Sequence, residues 1–135
     1  MPPNRQLEVA ARAGNRCEYC QMHQSLQGAT FHVEHVVPRC AGGSSEFDNL
    51  AWACPSCNLH KADRMKVDSP GSSESIPLFN PRTDCWSDHF VWDDYSLIGK
   101  TKIGRATILA LALNHERRLR IRQAEQLFGM FPPDV

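Results

Sequence analysis

Two pairs of cysteines, each with two residues between its members, constrain this chain more than any other feature. The pairs are Cys17/Cys20 and Cys54/Cys57. This spacing lets a tight turn direct two thiolates at one ion, and two such turns supply the four sulfur ligands of a tetrahedral zinc site. Four thiolates leave no open coordination position, so we predict a structural zinc ion that joins two distant parts of the chain.

The cysteine spacing leaves other interpretations open. Thioredoxin-like redox sites share the spacing of a single pair, and the four residues have the alternative of forming two disulfides, although disulfides are rare in the cytoplasm. Cys40 and Cys85 remain and are predicted to be free thiols, with a bond between them as the alternative. A redox switch at Cys40 is a further hypothesis, supported only by that spare thiol.

The hydrophobic pattern around the cysteine pairs indicates an α+β fold. It predicts a helix over residues 4–13, with Asn4 as its N-cap, and a β-strand over residues 30–37. A second short strand over residues 50–53 runs into the second cysteine pair, and a helix is predicted over about residues 56–64. The expected order is therefore helix, strand, strand, helix.

The second half of the chain has a different composition. Residues 67–85 are rich in proline, serine and glycine and are predicted to be a loop that wraps the surface. One short strand is expected within residues 91–97, and one long helix over residues 101–128. Polar residues 114–118 favour a break or bend in that helix.

A chain of 135 residues has the length of one domain. We divide it into a core at residues 1–66, a Pro/Ser-rich wrapping segment at residues 67–99 and a C-terminal helical segment at residues 100–135 that packs on the core. No apolar run approaches the roughly 18 residues of a membrane span, and the N-terminus lacks a secretory signal. These observations predict a cytoplasmic protein without a membrane anchor.

Polar residues between and just after the cysteine pairs carry groups suited to phosphodiester hydrolysis. Glu34 and His35 are adjacent near the end of the predicted strand. A carboxylate binds a hard divalent cation such as Mg²⁺, a neutral imidazole takes a proton from water, and a side-chain amide offers a neutral oxygen as a second ligand. Strand alternation puts Glu34 and His35 on opposite faces, so both reach one site only if the strand twists or ends there.

Five short motifs follow one another along residues 17–64. They are Cys17-x2-Cys20, Glu34-His35-Val36-Val37-Pro38, Gly42-Gly43, Asp48-Asn49-Leu50 and Cys54-x2-Cys57-Asn58-x2-Lys61. This order resembles the HNH endonuclease family, in its zinc-bound branch and its small bacterial or phage stand-alone type. The resemblance implies a ββα-metal (His-Me finger) core held by a four-cysteine zinc site, with an N-terminal helix and a C-terminal helical extension.

The resemblance also implies an activity and roles for individual residues. The activity is metal-dependent hydrolysis of DNA phosphodiester bonds with a single divalent ion, Mg²⁺ or another, beside the structural zinc. His35 matches the general base, and Glu34 matches the acidic metal ligand, which is commonly Asp in the family. Asn49 matches the residue that fixes the loop and orients the histidine. Asn58 stands where the family name has a histidine and would bind the ion through its amide oxygen.

Several further residues are candidates near this site. His32 shares a strand face with Glu34 and is either a third metal ligand, a phosphate contact or an ordinary polar residue. His60 is an alternative to Asn58 as the ligand at the third motif position. Three basic residues are candidate contacts to nucleic-acid phosphates: Arg39, Lys61 and Arg64.

The net charge of zero, from 15 basic and 15 acidic residues, conceals an uneven distribution. Residues 68–99 hold six acidic residues and one basic residue, net −5, whereas residues 100–135 hold seven basic and three acidic residues, net +4. DNA attraction must therefore come from local patches and should be salt-sensitive. Four arginines on the last predicted helix form either a solvated or a phosphate-binding face: Arg117, Arg118, Arg120 and Arg122.

The leading hypothesis is thus an endonuclease acting on DNA. The alternative is a non-catalytic, zinc-stabilised module that binds DNA or protein. The sequence leaves a monomer and a homodimer equally open.

Overall fold

The computed structural model describes residues 2–134, which contain five α-helices and six β-strands. In chain order these are α1 (Pro3–Arg12), β1 (His32–His35), β2 (Leu50–Ala53), α2 (Pro55–Lys61), β3 (Lys66–Asp68), β4 (Ser75–Pro77), α3 (Trp86–His89), β5 (Phe90–Asp93), β6 (Ser96–Gly99), α4 (Lys102–Ala110) and α5 (Glu116–Leu127). The strands pair as three antiparallel hairpins, β1–β2, β3–β4 and β5–β6. This mixture of elements confirms the predicted α+β class.

A β–β–α unit lies within residues 17–64, the part of the chain that carries the five motifs. β1 pairs antiparallel with β2, with His35 opposite Leu50 and His32 opposite Ala53. All four residues of β2 are buried. Cys54 then ends the strand and begins α2, which packs against β1. The second cysteine pair is therefore built into the junction between strand and helix.

The N-terminal helix α1 holds the loop that leads into β2. The guanidinium of Arg12, the last residue of α1, lies 3.8 Å from the centre of the Phe47 ring and donates to Phe47 O at 2.8 Å. It also donates to Leu50 O. The prediction of Asn4 as N-cap is wrong, because the helix already begins at Pro3, whose fixed φ angle suits a first helical position.

The region predicted as a wrapping loop contains a second hairpin. β3 and β4 pair with Val67 opposite Ile76, and Ile76 is buried. The predicted single strand over residues 91–97 is likewise wrong, because β5 and β6 form a hairpin in that region. Strands of three or four residues are too short to show a period of two above the surrounding Pro, Ser and Gly residues.

The expected break in the C-terminal helix is present between α4 and α5. Residues 111–115 leave the helical path, and Ala112 has a positive φ of 50°. Leu111 and Leu113 on either side of it are both 0% exposed. In a continuous helix these two leucines would point about 200° apart around the axis. The break therefore allows both side chains to be buried in the core.

The four arginines near α5 do not share one solvated or phosphate-binding face, because Arg118 and Arg122 are 4% and 0% exposed. Arg122 donates to Tyr95 O and to Leu113 O, both at 2.7 Å, and its guanidinium lies 5.1 Å from the centre of the Trp92 ring. The carbonyl of Leu113 in the helix break and that of Tyr95 in the β5–β6 turn thus both accept from a buried guanidinium. No helix in residues 2–134 is both long and apolar enough to cross a bilayer.

Candidate active site and metal centre

The four paired cysteines come together in the interior. Cys17, Cys20, Cys54 and Cys57 are all buried, and their Sγ atoms lie within 4.8 Å of one another. The Cys20 and Cys54 Sγ atoms are 3.8 Å apart, and a tetrahedron with Zn–S bonds of about 2.3 Å has edges of about 3.8 Å. All six cysteines of the chain lie in the described region and are free thiols, so the disulfide alternative is wrong. The four cysteines are positioned to bind a metal ion.

Local backbone geometry explains how each pair is presented. In the first pair, Cys17 N donates to Met22 O at 2.9 Å, and Gln21 has a positive φ of 67°, so the chain turns tightly back on itself. In the second pair, Cys54 is the N-cap of α2 and its Sγ accepts from Cys57 N at 3.3 Å. A helix N-terminus favours negative charge, which suits a thiolate.

A buried arginine from the distant helix α5 contacts the metal centre. Arg118 Nη1 lies 3.4 Å from Cys57 Sγ and 3.9 Å from Cys54 Sγ. Its Nη2 donates to Ser56 Oγ and to Leu111 O, both at 2.9 Å. Four thiolates and one divalent cation carry a net charge of −2, so a buried guanidinium offsets part of that charge. A run of arginines gives no sequence signal for this role.

Replacing Arg118 by alanine is expected to lower the free energy of unfolding of the metal-loaded protein by about 3 kcal/mol, because it removes one partner of a buried charge contact. The metal should also be lost faster to a chelator. Thermal melting and a colorimetric chelator assay measure the two effects. Arg120→Ala is the matched control, since Arg120 is an exposed residue of the same helix whose ion pair is with the exposed Glu116. Equal melting of the two variants would contradict the assigned role.

His35, the last residue of β1, is half-buried and lies beside the loop that follows the strand. Its Nε2 is 3.0 Å from Ser45 Oγ and accepts a hydrogen bond from Arg39 Nε at 3.3 Å. Because arginine only donates, Nε2 carries the lone pair of a neutral ring. Burial, and then the charge of Arg39, lower the pKa of His35 below its ordinary value. The imidazole is therefore suited to accept a proton near neutral pH.

Asn49 closes the loop between β1 and β2. Its Oδ1 accepts from Val37 N at 3.0 Å, and its Nδ2 donates to Val37 O at 3.0 Å and to Ser44 O at 2.7 Å. Gly43 packs into the same turn, where a Cβ atom would lie 1.7 Å from Val37 O. Only glycine fits there without moving the backbone. These contacts hold the loop that carries the partners of His35.

Glu34 points to the other side of β1, into the core. The residue is 5% exposed, its Oε2 accepts from the Tyr19 hydroxyl at 2.5 Å, and its Oε1 lies 2.5 Å from Lys61 Nζ. Burial raises the pKa of Glu34 above its ordinary value, while Lys61 and Tyr19 oppose that shift. The structure thus separates the expected metal ligand Glu34 from His35. Lys61, the expected phosphate contact, is 2% exposed and directs its Nζ to Glu34.

Asn58 and His60 lie on different faces of α2. Asn58 is half-buried, and its side chain makes no hydrogen bond to any of residues 2–134. It precedes Lys61 by three residues and so shares the helix face that meets β1. His60 is exposed, with Nδ1 2.8 Å from Ser56 O, back along the helix. Because two residues rotate a helix by about 200°, His60 faces away from Asn58 and does not suit the alternative ligand role.

The remaining candidates are exposed. His32 lies at the far end of β1, and Arg39 lies beside His35. Arg64 follows α2 and donates to His60 O. Sequence reasoning missed Ser45 and Tyr19 as neighbours of His35 and Glu34. Tyr19 carried a weak signal, because an aromatic residue inside a cysteine pair is placed next to the buried metal centre.

The family comparison agrees with this arrangement. Residues 17–64 match the family model described as HNH endonuclease. Over 119 residues the chain is 29% identical to the Septu protein PtuB of Bacillus thuringiensis, an alignment that covers 87% of this chain and 44% of the relative. The chain thus spans less than half the length of that curated relative. A comparison of this chain with solved structures found no match. The resemblance read from the motifs is confirmed as a match of residues 17–64 to the HNH endonuclease family model.

Proposed function

We propose that this chain is a metal-dependent endonuclease that hydrolyses DNA phosphodiester bonds with His35 as the general base. The observation that carries the proposal is the imidazole of His35, held by Ser45 and Arg39 at the end of β1, in a segment that matches the HNH endonuclease family. Its accepting nitrogen lies at the surface side of the strand, where a phosphate backbone has access.

His35 performs the proton transfer in the proposed reaction. A water molecule attacks the phosphorus atom, its proton passes to His35 Nε2, and the bond from phosphorus to the 3′ oxygen breaks. The leaving oxygen takes a proton from solvent. Asn49 fixes the loop backbone, and the exposed guanidinium groups of Arg39 and Arg64 are proposed to contact the DNA phosphates.

Two metal ions belong to the proposal, and their ligand sets fit to different extents. Four buried sulfur atoms at tetrahedral spacing favour zinc as the structural ion. The set expected for a catalytic ion such as Mg²⁺ fits only in part, because Asn58 offers a free amide whereas Glu34 is turned into the core. We therefore assign no step of the reaction to that ion. Free thiols at the zinc site suit a reducing compartment, which supports a cytoplasmic location.

Nicking of supercoiled plasmid DNA by the zinc-loaded protein tests the proposal. The protein is dialysed free of loosely bound metal and assayed with Mg²⁺, Mn²⁺ and other divalent ions, each added separately. We expect conversion to open circles with at least one ion and none without an added ion. A protein that is inert with every ion, although its zinc content is complete, would overturn the proposal.

The burial of Glu34 favours one alternative, a non-catalytic zinc-stabilised module that binds DNA or protein. In that case the protein does not cut plasmid DNA, whichever divalent ion is added. It either retards a DNA fragment in a gel-shift assay, if it binds DNA, or leaves the fragment unshifted, if its partner is a protein. The two assays, performed on the same preparation, separate catalysis from binding.

The rate of nicking is expected to fall as the pH drops through the pKa of His35, since only the neutral imidazole accepts a proton. Burial and Arg39 lower that pKa from 6.5, so the acid side of the wild-type profile should lie below pH 6.5. Arg39→Gln removes one cause and should move the midpoint upward, towards 6.5. Rates normalised to their plateau between about pH 5 and 8 measure this shift. Arg64 donates to His60 O and not to His35, so Arg64→Gln should leave the midpoint of the pH profile unchanged. A midpoint shift in Arg64→Gln as large as that in Arg39→Gln would contradict the role of Arg39.

A further inference from the structure

Glu34 stands where the family resemblance puts a ligand of the catalytic ion, but its contacts are those of a structural side chain. Its side chain is 4% exposed. One carboxylate oxygen accepts from Tyr19 and the other pairs with Lys61, each at 2.5 Å. Both oxygens thus face polar groups of the chain itself, on the face of β1 opposite to His35, and Oε1 has the charge of Lys61 beside it although it accepts no hydrogen bond within residues 2–134.

Three parts of the domain meet at this carboxylate. Tyr19 lies inside the first cysteine pair and is 1% exposed, Glu34 lies in β1, and Lys61 is the last residue of α2. Lys61 Nζ also donates to Val36 O at 3.2 Å, just beyond the end of β1. The three side chains therefore connect the metal centre, the strand and the helix in one buried cluster.

We propose that Glu34, Lys61 and Tyr19 form a buried clamp that fixes α2 against β1, and that Glu34 does not bind the catalytic ion. Asn58 precedes Lys61 by three residues, so a fixed Lys61 sets the helix face that carries Asn58 relative to His35. Glu34 is then a positioning residue. Its effect on catalysis rests on the proposed nuclease activity, whereas the clamp itself is a property of the fold.

Buried ion pairs respond to substitution differently from metal ligands, and this difference tests the role of Glu34. Removing one partner leaves an uncompensated buried charge and is strongly destabilising, whereas removing both charges together is often close to neutral. The loss of a metal ligand, in contrast, is not repaired by a second substitution at Lys61. A double variant without either charge therefore distinguishes the two roles.

The experiment compares Glu34→Gln, Lys61→Met and the double variant Glu34→Gln/Lys61→Met in the full, zinc-loaded chain. Glutamine keeps the length of Glu34 and an acceptor for Tyr19. Each single change is expected to lower the melting temperature by roughly 10 °C, and the double variant should regain at least half of the summed loss. The Mn²⁺ concentration for half-maximal nicking in the double variant should stay within about threefold of wild type.

Two results would overturn the clamp. One is a double variant whose loss of melting temperature equals the sum of the single losses. The other is a folded double variant whose half-saturating Mn²⁺ concentration rises about tenfold or more, as for a lost ligand.

Mn²⁺ binding without DNA, followed by electron paramagnetic resonance, gives the same comparison independently of cleavage. If the wild type does not cut, the nuclease proposal fails, while the melting and Mn²⁺ binding of the three variants still decide the clamp. Tyr19→Phe, which keeps the ring and removes one donor, should lower the melting temperature by a few degrees and leave Mn²⁺ binding unchanged.

Discussion

Replacing His35 by alanine is expected to reduce the rate of plasmid nicking at least a hundredfold, because a positioned general base contributes roughly 10² to 10⁴ to a rate. The side chain is half-buried at the end of β1, and its hydrogen-bond partners within residues 2–134 are a loop hydroxyl and an exposed guanidinium, so its loss should leave the fold intact. Single-turnover nicking with the ion that supports wild-type cleavage measures the effect, and circular dichroism checks the fold.

A second histidine, the N-cap of α5, provides the matched control for this measurement. His115 accepts from Arg117 N as the N-cap of α5, and His115→Asn keeps a residue suited to that position. We expect this variant to cut at a rate close to wild type. If folded His35→Ala cuts as fast as the control, His35 is not the base.

Removing the metal from the four-cysteine centre is expected to unfold residues 15–60. Binding of zinc to zinc-finger peptides contributes about 10–16 kcal/mol, which is as large as the whole stability of a typical domain, about 5–15 kcal/mol. The site joins residues 34 positions apart, Cys20 and Cys54, and so does not exist in the unfolded chain. Cys57→Ser should have the same effect without a chelator.

Far-UV circular dichroism and elemental analysis, before and after strong chelation, measure this coupling between metal binding and folding. Cys85→Ser is the control, because Cys85 is exposed and outside the cluster. Native dichroism in a sample shown to contain no metal would contradict the prediction.

The sequence predicted best those features that depend on local spacing. The two cysteine pairs require a tight turn and a helix start, which are short-range geometries, and the structure brings all four thiols together. β2 follows from the short apolar run of residues 50–53 that leads into the second pair. These features could be predicted because a few neighbouring residues determine each of them.

Features that depend on distant contacts could not be predicted in the same way. The β3–β4 hairpin has only three residues in each strand, and Arg118 reaches the metal centre only because the chain breaks at Ala112. For Glu34, elementary strand alternation predicted a face opposite to His35, and the family resemblance predicted a shared site. The structure agrees with alternation, because Glu34 pairs with Lys61 in the core whereas His35 contacts the loop that follows β1.

The contact between Arg118 and Cys57 also has a consequence for the order in which the protein is made. The arginine follows the cysteine by 61 residues. During synthesis, all four thiols are made before α5, so the four-cysteine centre is complete in sequence before its buried counter-charge is present. Release of the last helix then neutralises part of that charge. A chain that stops short of α5 is consequently expected to hold its metal less tightly.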